Sequence, residues 1–273
     1  TPDHLERHGG LGGYYAAKKR LFISGCPDRS VIGVDEFEGQ LLAQELADHT
    51  HDDRIIKVSV SRKITNLGWN VFANKGFLSE YRRGKQVASI DLRKCTALQG
   101  PHNHQNACAA YAAVRTLGVG PRSVEKALKS FRGLPHRSQL VTEIDGVVFI
   151  NDSKATNVDS AIKALETFSK VHWICGGEQK ENDISRLNNA LANVKKAYVI
   201  GTDTANFSSQ ISCEFEISNT MDKAVKNAFK DAKDGETILL SPAAASFDQY
   251  SSFEERGKAF EHEITKLTKY YSV

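Results

Sequence analysis

Residues 147–168 read VVFINDSKATNVDSAIKALETF. Val147, Val148, Phe149 and Ile150 form a short apolar run, Asn151 to Asn157 are polar, and Ala161, Ile162, Ala164, Leu165 and Phe168 return at helical spacing. An apolar run too short for a helix, followed by a period near 3.6, predicts a strand feeding a helix, and Asn157 stands where an N-cap is wanted. The loop between them then sits at the carboxyl end of a strand, the place where open α/β sheets bind ligands.

Working outward, the same alternation recurs. Apolar, β-branched runs at 171–175, 197–200 and 237–240 are followed by amphipathic stretches at 184–194, 221–232 and 253–267. This predicts a mostly parallel sheet covered by helices on both faces, an open Rossmann-like domain over residues 134–273. Residues 1–133 are less regular. They show a strand-like run at 31–34, a hairpin signal at Arg82-Arg83-Gly84-Lys85 and helical stretches at 106–117 and 124–131. The boundary is expected near Gly133, with no internal repeat and no low-complexity linker.

At 273 residues with 40% hydrophobic content, the chain is long enough for two ordinary globular cores. Lysine and arginine number 36 against 33 acids and are interspersed, which argues against a nucleic-acid face. No apolar run approaches the ~20 residues that span a bilayer, and the polar, Gly-rich start does not read as a signal peptide. Five scattered cysteines, Cys26, Cys95, Cys108, Cys175 and Cys213, form no C-x-x-C pair, so neither a disulfide framework nor a zinc site is expected. Together these features predict a cytoplasmic protein without membrane or nucleic-acid partners.

Polar residues gather in five places: His4 with Lys18; Asn103 with Asn106; His136-Arg137; the loop 151–157; and the loop 241–249 with Phe253 beyond it. The loop 151–157 could cradle phosphate or carboxylate oxygens at a helix N-terminus, and its Asp152, Ser153 and Asn157 serve equally well as turn and cap residues. Ser246 and nearby backbone N–H groups could hold a carboxylate, or cap. Arg137 offers a guanidinium suited to bidentate phosphate contact, or an interdomain salt bridge. Taken singly, His4 and Lys18 read as surface residues.

Order and spacing bring these segments together. Asp3-His4-Leu5-Glu6-Arg7-His8, Tyr14-Tyr15-Ala16-Ala17-Lys18 and Gly100-Pro101-His102-Asn103-His104-Gln105-Asn106 resemble the central ATPase domain of the Mur ligase family. Phe131-Arg132-Gly133-Leu134-Pro135-His136-Arg137, Asn151 to Asn157, Ser241 to Gln249 and Phe253-Glu254-Glu255-Arg256-Gly257 resemble its D-glutamate-adding branch. The resemblance implies a partial central ATP-binding domain over 1–133, followed by an amino-acid-binding Rossmann-like domain over 134–273. It also implies an ATP-dependent, Mg2+-assisted amide ligase that joins D-glutamate to UDP-N-acetylmuramoyl-L-alanine through an acyl phosphate in peptidoglycan synthesis.

By the same resemblance, His4 and a carbamylated Lys18 are expected at the metal, and Asn103, Asn106, Arg137, Asp152 and Lys154 at the nucleotide. Thr156, Lys180, Ser246 and Phe253 are expected at D-glutamate. Members of the family carry an N-terminal substrate domain and a Gly-rich phosphate loop before the His4 motif. No G-x-x-x-x-G-K-[ST] occurs in these residues, so the isolated chain is expected to be inactive, with the missing N-terminal half as its partner. The run Gly176-Gly177-Glu178-Gln179-Lys180 departs slightly from the family form but keeps its lysine, and Glu143-Ile144-Asp145 lacks a histidine that some relatives have. Competing readings are another Mur-type or folylpolyglutamate-type ligase, an inert fragment, and a nucleotide-binding module. The absence of a G-x-G-x-x-G after a strand weakens the last.

Overall fold

The computed structural model describes residues 5–24, 27–47 and 54–271, and the chain divides into two units, Thr1–Phe131 and Arg132–Val273. His4 and Cys26 lie outside the described residues; the other four cysteines are free thiols. No helix among the described residues is long and apolar enough to cross a membrane.

In the first unit α1 (Leu5–His8) and α2 (Leu11–Ile23) precede β1 (Ser30–Gly33), α3 (Phe37–Ala47), β2 (Ile55–Ser59) and β3 (Trp69–Asn74). β4 (Phe77–Arg82), β5 (Lys85–Asp91), α4 (Pro101–Thr116) and α5 (Pro121–Ser130) follow. The sheet runs β1-β2-β3-β4-β5, parallel over its first three strands and antiparallel over the last pairs. The hairpin forms where the sequence predicts it. Arg82 pairs with Lys85, and both turn residues, Arg83 and Gly84, take positive φ (51° and 74°), as a two-residue hairpin turn requires.

The stretch read as a helix over 106–117 starts earlier, at Pro101 after Gly100. Proline suits a first helical turn, where its missing N–H costs nothing. The helix is held to the sheet by Ala107, Cys108, Tyr111 and Ala112, packed among Ile56, Val58, Val71 and Leu78. Glu80, fully buried, accepts hydrogen bonds from Tyr111 Oη (2.6 Å), Arg115 Nε (3.0 Å) and Arg82 Nε (2.7 Å). This network fixes α4, and with it Asn103 and Asn106.

The second unit comprises β6 (Gln139–Ile144), β7 (Val147–Asn151), α6 (Val158–Thr167), β8 (Val171–Gly176), a 3-10 segment (Ser185–Asn193), β9 (Val194–Ile200) and α7 (Thr204–Ser208). β10 (Phe215–Asn219), α8 (Met221–Asp231), β11 (Thr237–Leu240) and α9 (Phe253–Tyr271) complete it. The order is β10-β9-β8-β11-β7-β6, parallel except for the antiparallel edge β6.

The stretch at 184–194, expected to be an α-helix, is instead 3-10 over Ser185–Asn193. Leu187, Ala190 and Leu191 still bury one face, but the segment is asparagine-rich. Its amides bond elsewhere: Asn188 Nδ2 donates to Gln210 O (3.0 Å), and Asn188 Oδ1 accepts from Ser212 N (2.8 Å).

One core packs α6, the 3-10 segment and Phe207 against Ile150, Trp173 and Leu239; the other packs α8 and α9 against Phe149, Tyr198 and Leu240. β7 is therefore followed by a helix on one face, while its neighbour β11 is followed by α9 on the opposite face. Loops leaving two adjacent strands in opposite directions open a crevice at their carboxyl ends.

Candidate functional site

The loop after β7 begins with Asn151, which is fully buried. Its Oδ1 accepts from Ser153 N (3.1 Å), and its Nδ2 donates to Gly257 O (3.1 Å) and Glu261 Oε1 (2.9 Å). Nδ2 also faces His136 Nδ1 at 2.9 Å; an amide nitrogen only donates, so that ring nitrogen accepts. Next to it, Asp152 is 8% exposed, with hydrogen bonds from Ser138 N (2.9 Å) and Ser241 Oγ (3.2 Å). Burial pushes its carboxyl up to about 7, against the opposing pull of those two bonds and of the Arg137 charge.

Ser153 Oγ donates to Phe253 O (2.8 Å), joining the loop to the first turn of α9. Lys154 Nζ lies 4.3 Å over the Phe253 ring, which also meets His136 edge-on at 6.3 Å. Asn157 caps α6 as the sequence predicts, accepting from Ser160 N at 2.9 Å.

The loop after β11 is stitched to this one: Ala243, at φ 58°, donates its N–H to Ala155 O (2.9 Å). A third loop, after β8, joins through Gly176 N to Pro242 O (2.9 Å). The pair formed by Glu178 N to Ala245 O (3.0 Å) and Ala245 N to Glu178 O (2.8 Å) completes the link. Gly177 must be glycine here: φ is 128°, and a Cβ would sit 2.3 Å from Ala245 O.

The second unit thus gathers Asp152, Lys154, Thr156, Ser246, Phe253 and the loop bearing Lys180 at one edge of its sheet. Ser246 is buried; Lys180 and Arg137 are exposed. A hollow of about 990 Å³ between α8 and α9 reaches Asp145 and Asp234 and includes none of these residues.

Sequence reasoning gave Arg256 no role. The structure buries its guanidinium to 1% exposure and surrounds it with four neutral acceptors: Ser153 Oγ (3.1 Å), Ser153 O (3.0 Å), Ala244 O (3.1 Å) and Ala245 O (3.1 Å). Burial pulls it down to about 10, with the Asp248 charge opposing, so it remains a cation at neutral pH. One signal was available: Arg256 stands in the first turn of a helix, where the dipole favours acids such as its neighbours Glu254 and Glu255.

The remaining predicted residues belong to the first unit. Lys18 is exposed on α2, its Nζ 5.4 Å over the Tyr14 ring. Asn103 Nδ2 donates back to Gln99 O (2.9 Å), and Asn106 lines a groove of about 300 Å³ with Gly33, Asp35 and Gln105. Asp35 is a second residue that sequence reasoning passed over. It accepts from Ser59 Oγ (2.5 Å), Ser61 Oγ (2.6 Å), Val60 N (2.9 Å) and Gln105 Nε2 (2.9 Å). Burial disfavours its charge, but the bonds from Ser59, Ser61 and Val60 outweigh that and hold it below the usual carboxylate range.

Comparison with known proteins identifies the family of both units. The family description "Mur ligase middle domain" matches residues 1–114, and "Mur ligase, glutamate ligase domain" matches residues 136–244. The chain is 59% identical over 266 residues to a UDP-N-acetylmuramoylalanine--D-glutamate ligase of Ruegeria pomeroyi and 58% identical to one of Roseobacter denitrificans. In each case 97% of this chain spans 57% of the relative's length.

Among solved structures, the UDP-N-acetylmuramate-alanine ligase of Thermotoga maritima superposes with a TM-score of 0.64 at 19% identity, over 97% of this chain and 58% of that one. FolC of E. coli, solved with DHPP and ADP, gives 0.65 at 18% identity, over 100% of this chain and 60% of that one. At such identities the likeness establishes the fold alone.

Proposed function

The chain belongs to the Mur ligase family, and on that premise we propose that the protein it comes from joins D-glutamate to UDP-N-acetylmuramoyl-L-alanine with consumption of ATP, a step of peptidoglycan synthesis in the cytoplasm. The observation that carries the reading is the two-way bridge between Glu178 and Ala245. It sets the loop of Lys180 beside that of Ser246, and D-glutamate brings two carboxylates that need separate donors.

In the first step a terminal carboxylate oxygen of UDP-N-acetylmuramoyl-L-alanine attacks the γ-phosphorus of ATP, the bond to ADP breaks, and an acyl phosphate forms. The amine of D-glutamate then attacks the acyl carbon, phosphate departs with the C–O electron pair, and the amine loses a proton. Negative charge gathers on oxygen throughout, so cations and oriented N–H groups serve this chemistry better than a protein nucleophile. Arg137 and Lys154 are proposed for the phosphates, and Asn103, Asn106 and Asp152 for the rest of the nucleotide. Thr156, Lys180, Ser246 and Phe253 are proposed for D-glutamate.

Lys18 is exposed on α2, and its amine, after giving up the ammonium proton, would add carbon dioxide. Addition with loss of a proton gives a carbamate whose oxygens suit a hard cation such as Mg2+, with His4 proposed beside it. Bound there, the ion would neutralise charge on phosphate oxygens.

Steady-state kinetics on the full-length protein test the reading. Replacing a charged hydrogen-bond partner costs about 1.5–3 kcal/mol, so Lys180→Ala is expected to raise the D-glutamate KM about tenfold or more and leave the ATP KM nearly flat. An effect confined to ATP would overturn the assignment.

A further inference from the structure

We infer that Arg256 is a positioning residue for the amino-acid substrate: it turns the Ala245–Ser246 peptide so that the Ser246 N–H is presented to a substrate carboxylate. This rests on the reading of residues 241–249 as a D-glutamate loop and adds to it the group that shapes the loop.

In a trans peptide the C=O and the following N–H point in opposite directions. A guanidinium that collects carbonyls therefore decides where three N–H groups aim. Arg256 Nη2 holds Ser153 O and Ala244 O, and Nη1 holds Ala245 O. Two of the N–H groups so directed are used within the protein: Lys154 N donates to His136 O (3.0 Å), and Ala245 N donates to Glu178 O (2.8 Å). The third, Ser246 N–H, has no acceptor among the described residues. Its peptide is doubly fixed, because Ala245 O also accepts from Glu178 N (3.0 Å).

A buried, unsatisfied N–H is costly in an empty site and correspondingly strong toward an incoming anion. Ser246 is 2% exposed while the adjoining Phe247 is 69% exposed, so this peptide lies where the loop turns from interior to surface.

The choice of arginine follows from geometry. Its planar fork reaches acceptors on two loops at once, whereas a lysine ammonium is a single point on a flexible stem. No carboxylate hydrogen-bonds to this guanidinium among the described residues, so its charge, facing the Asp248 carboxylate without being paired to it, adds to the positive end of α9. Both favour a carboxylate at Ser246.

Arg256→Lys and Arg256→Met in the full-length protein test this. Both are expected to raise the D-glutamate KM about tenfold with the ATP KM within about twofold. In Arg256→Lys, amide hydrogen exchange at Ala245 and at Lys154 is expected to accelerate together, a readout independent of ligation. Unchanged D-glutamate KM in Arg256→Lys, or unchanged protection at both amides, overturns the inference. If the wild-type protein does not ligate D-glutamate, the functional reading fails and the substrate role of Arg256 falls with it, while joint loss of protection would still establish the brace between the two loops.

Discussion

Each unit buries charge, and the two do so in opposite ways. In the first, Glu80 is matched by Tyr111 and two arginines, and although burial opposes ionisation, those bonds hold its carboxyl below the ordinary range. In the second, Asp152 has two neutral donors and is pushed up to about 7, and Arg256 has four neutral acceptors. Fully paired charge acts as a fastening. Charge buried without a full counter-charge beneath loops at the strand ends can act on a ligand held by those loops, and strongly shifted groups gather at such places for that reason.

The contrast has a sign that can be measured, because the two tryptophans fall one in each unit: Trp69 and Trp173. Asp152 is raised in the folded state from an ordinary 3.8 to about 7, so the native protein holds its proton more tightly than the unfolded chain does. Its contribution is complete below about pH 4 and is lost as pH rises through 7, a change on the order of 4 kcal/mol. Unfolding followed by Trp173 in wild type and Asp152→Asn is expected to diverge over this interval, with the wild type losing ground as pH rises. Parallel curves would place Asp152 in a far wetter site.

Glu80, lowered in the folded state, carries the opposite sign, its contribution vanishing as pH falls below about 4.5. Glu80→Ala strands Arg115 and Tyr111 and is expected to destabilise the first unit by about 3 kcal/mol, at the low end for a broken buried pair because Arg82 keeps contact with water. Denaturant unfolding followed by Trp69 checks it, with the Trp173 transition expected to stay in place. The smallest effect tests whether the loop 151–157 depends on its cap or on the buried network. Asn157→Ala is expected to cost about 1 kcal/mol, read from the Trp173 transition, and a much larger loss would show that the cap organises the whole loop.

Several elements could be read before folding because their causes are local. The two-residue turn at Arg83-Gly84, the cap at Asn157 and the strand 237–240 depend on residues within a few positions of one another. Ser185–Asn193 misled because its apolar spacing is helical while its asparagines bond to residues more than twenty positions away. The candidate site divides in the same way: ordered motifs singled out Lys154, Thr156, Ser246 and Phe253, whereas Arg256, though it stands in the same motif as Phe253, was given no role there, and Asp35 stands in none of them.

By itself, then, the sequence determined the alternation of strand and helix, the places where loops leave the sheet and the family those loops resemble, all of which follow from periodicity and motif order. Only the tertiary structure decided that Asp152 is taken out of water, that Arg256 collects carbonyls from two loops and that the Ser246 N–H finds no acceptor among the described residues. Desolvation and the convergence of backbone carbonyls arise when residues such as Ser153 and Arg256, about a hundred positions apart, are brought within hydrogen-bonding distance.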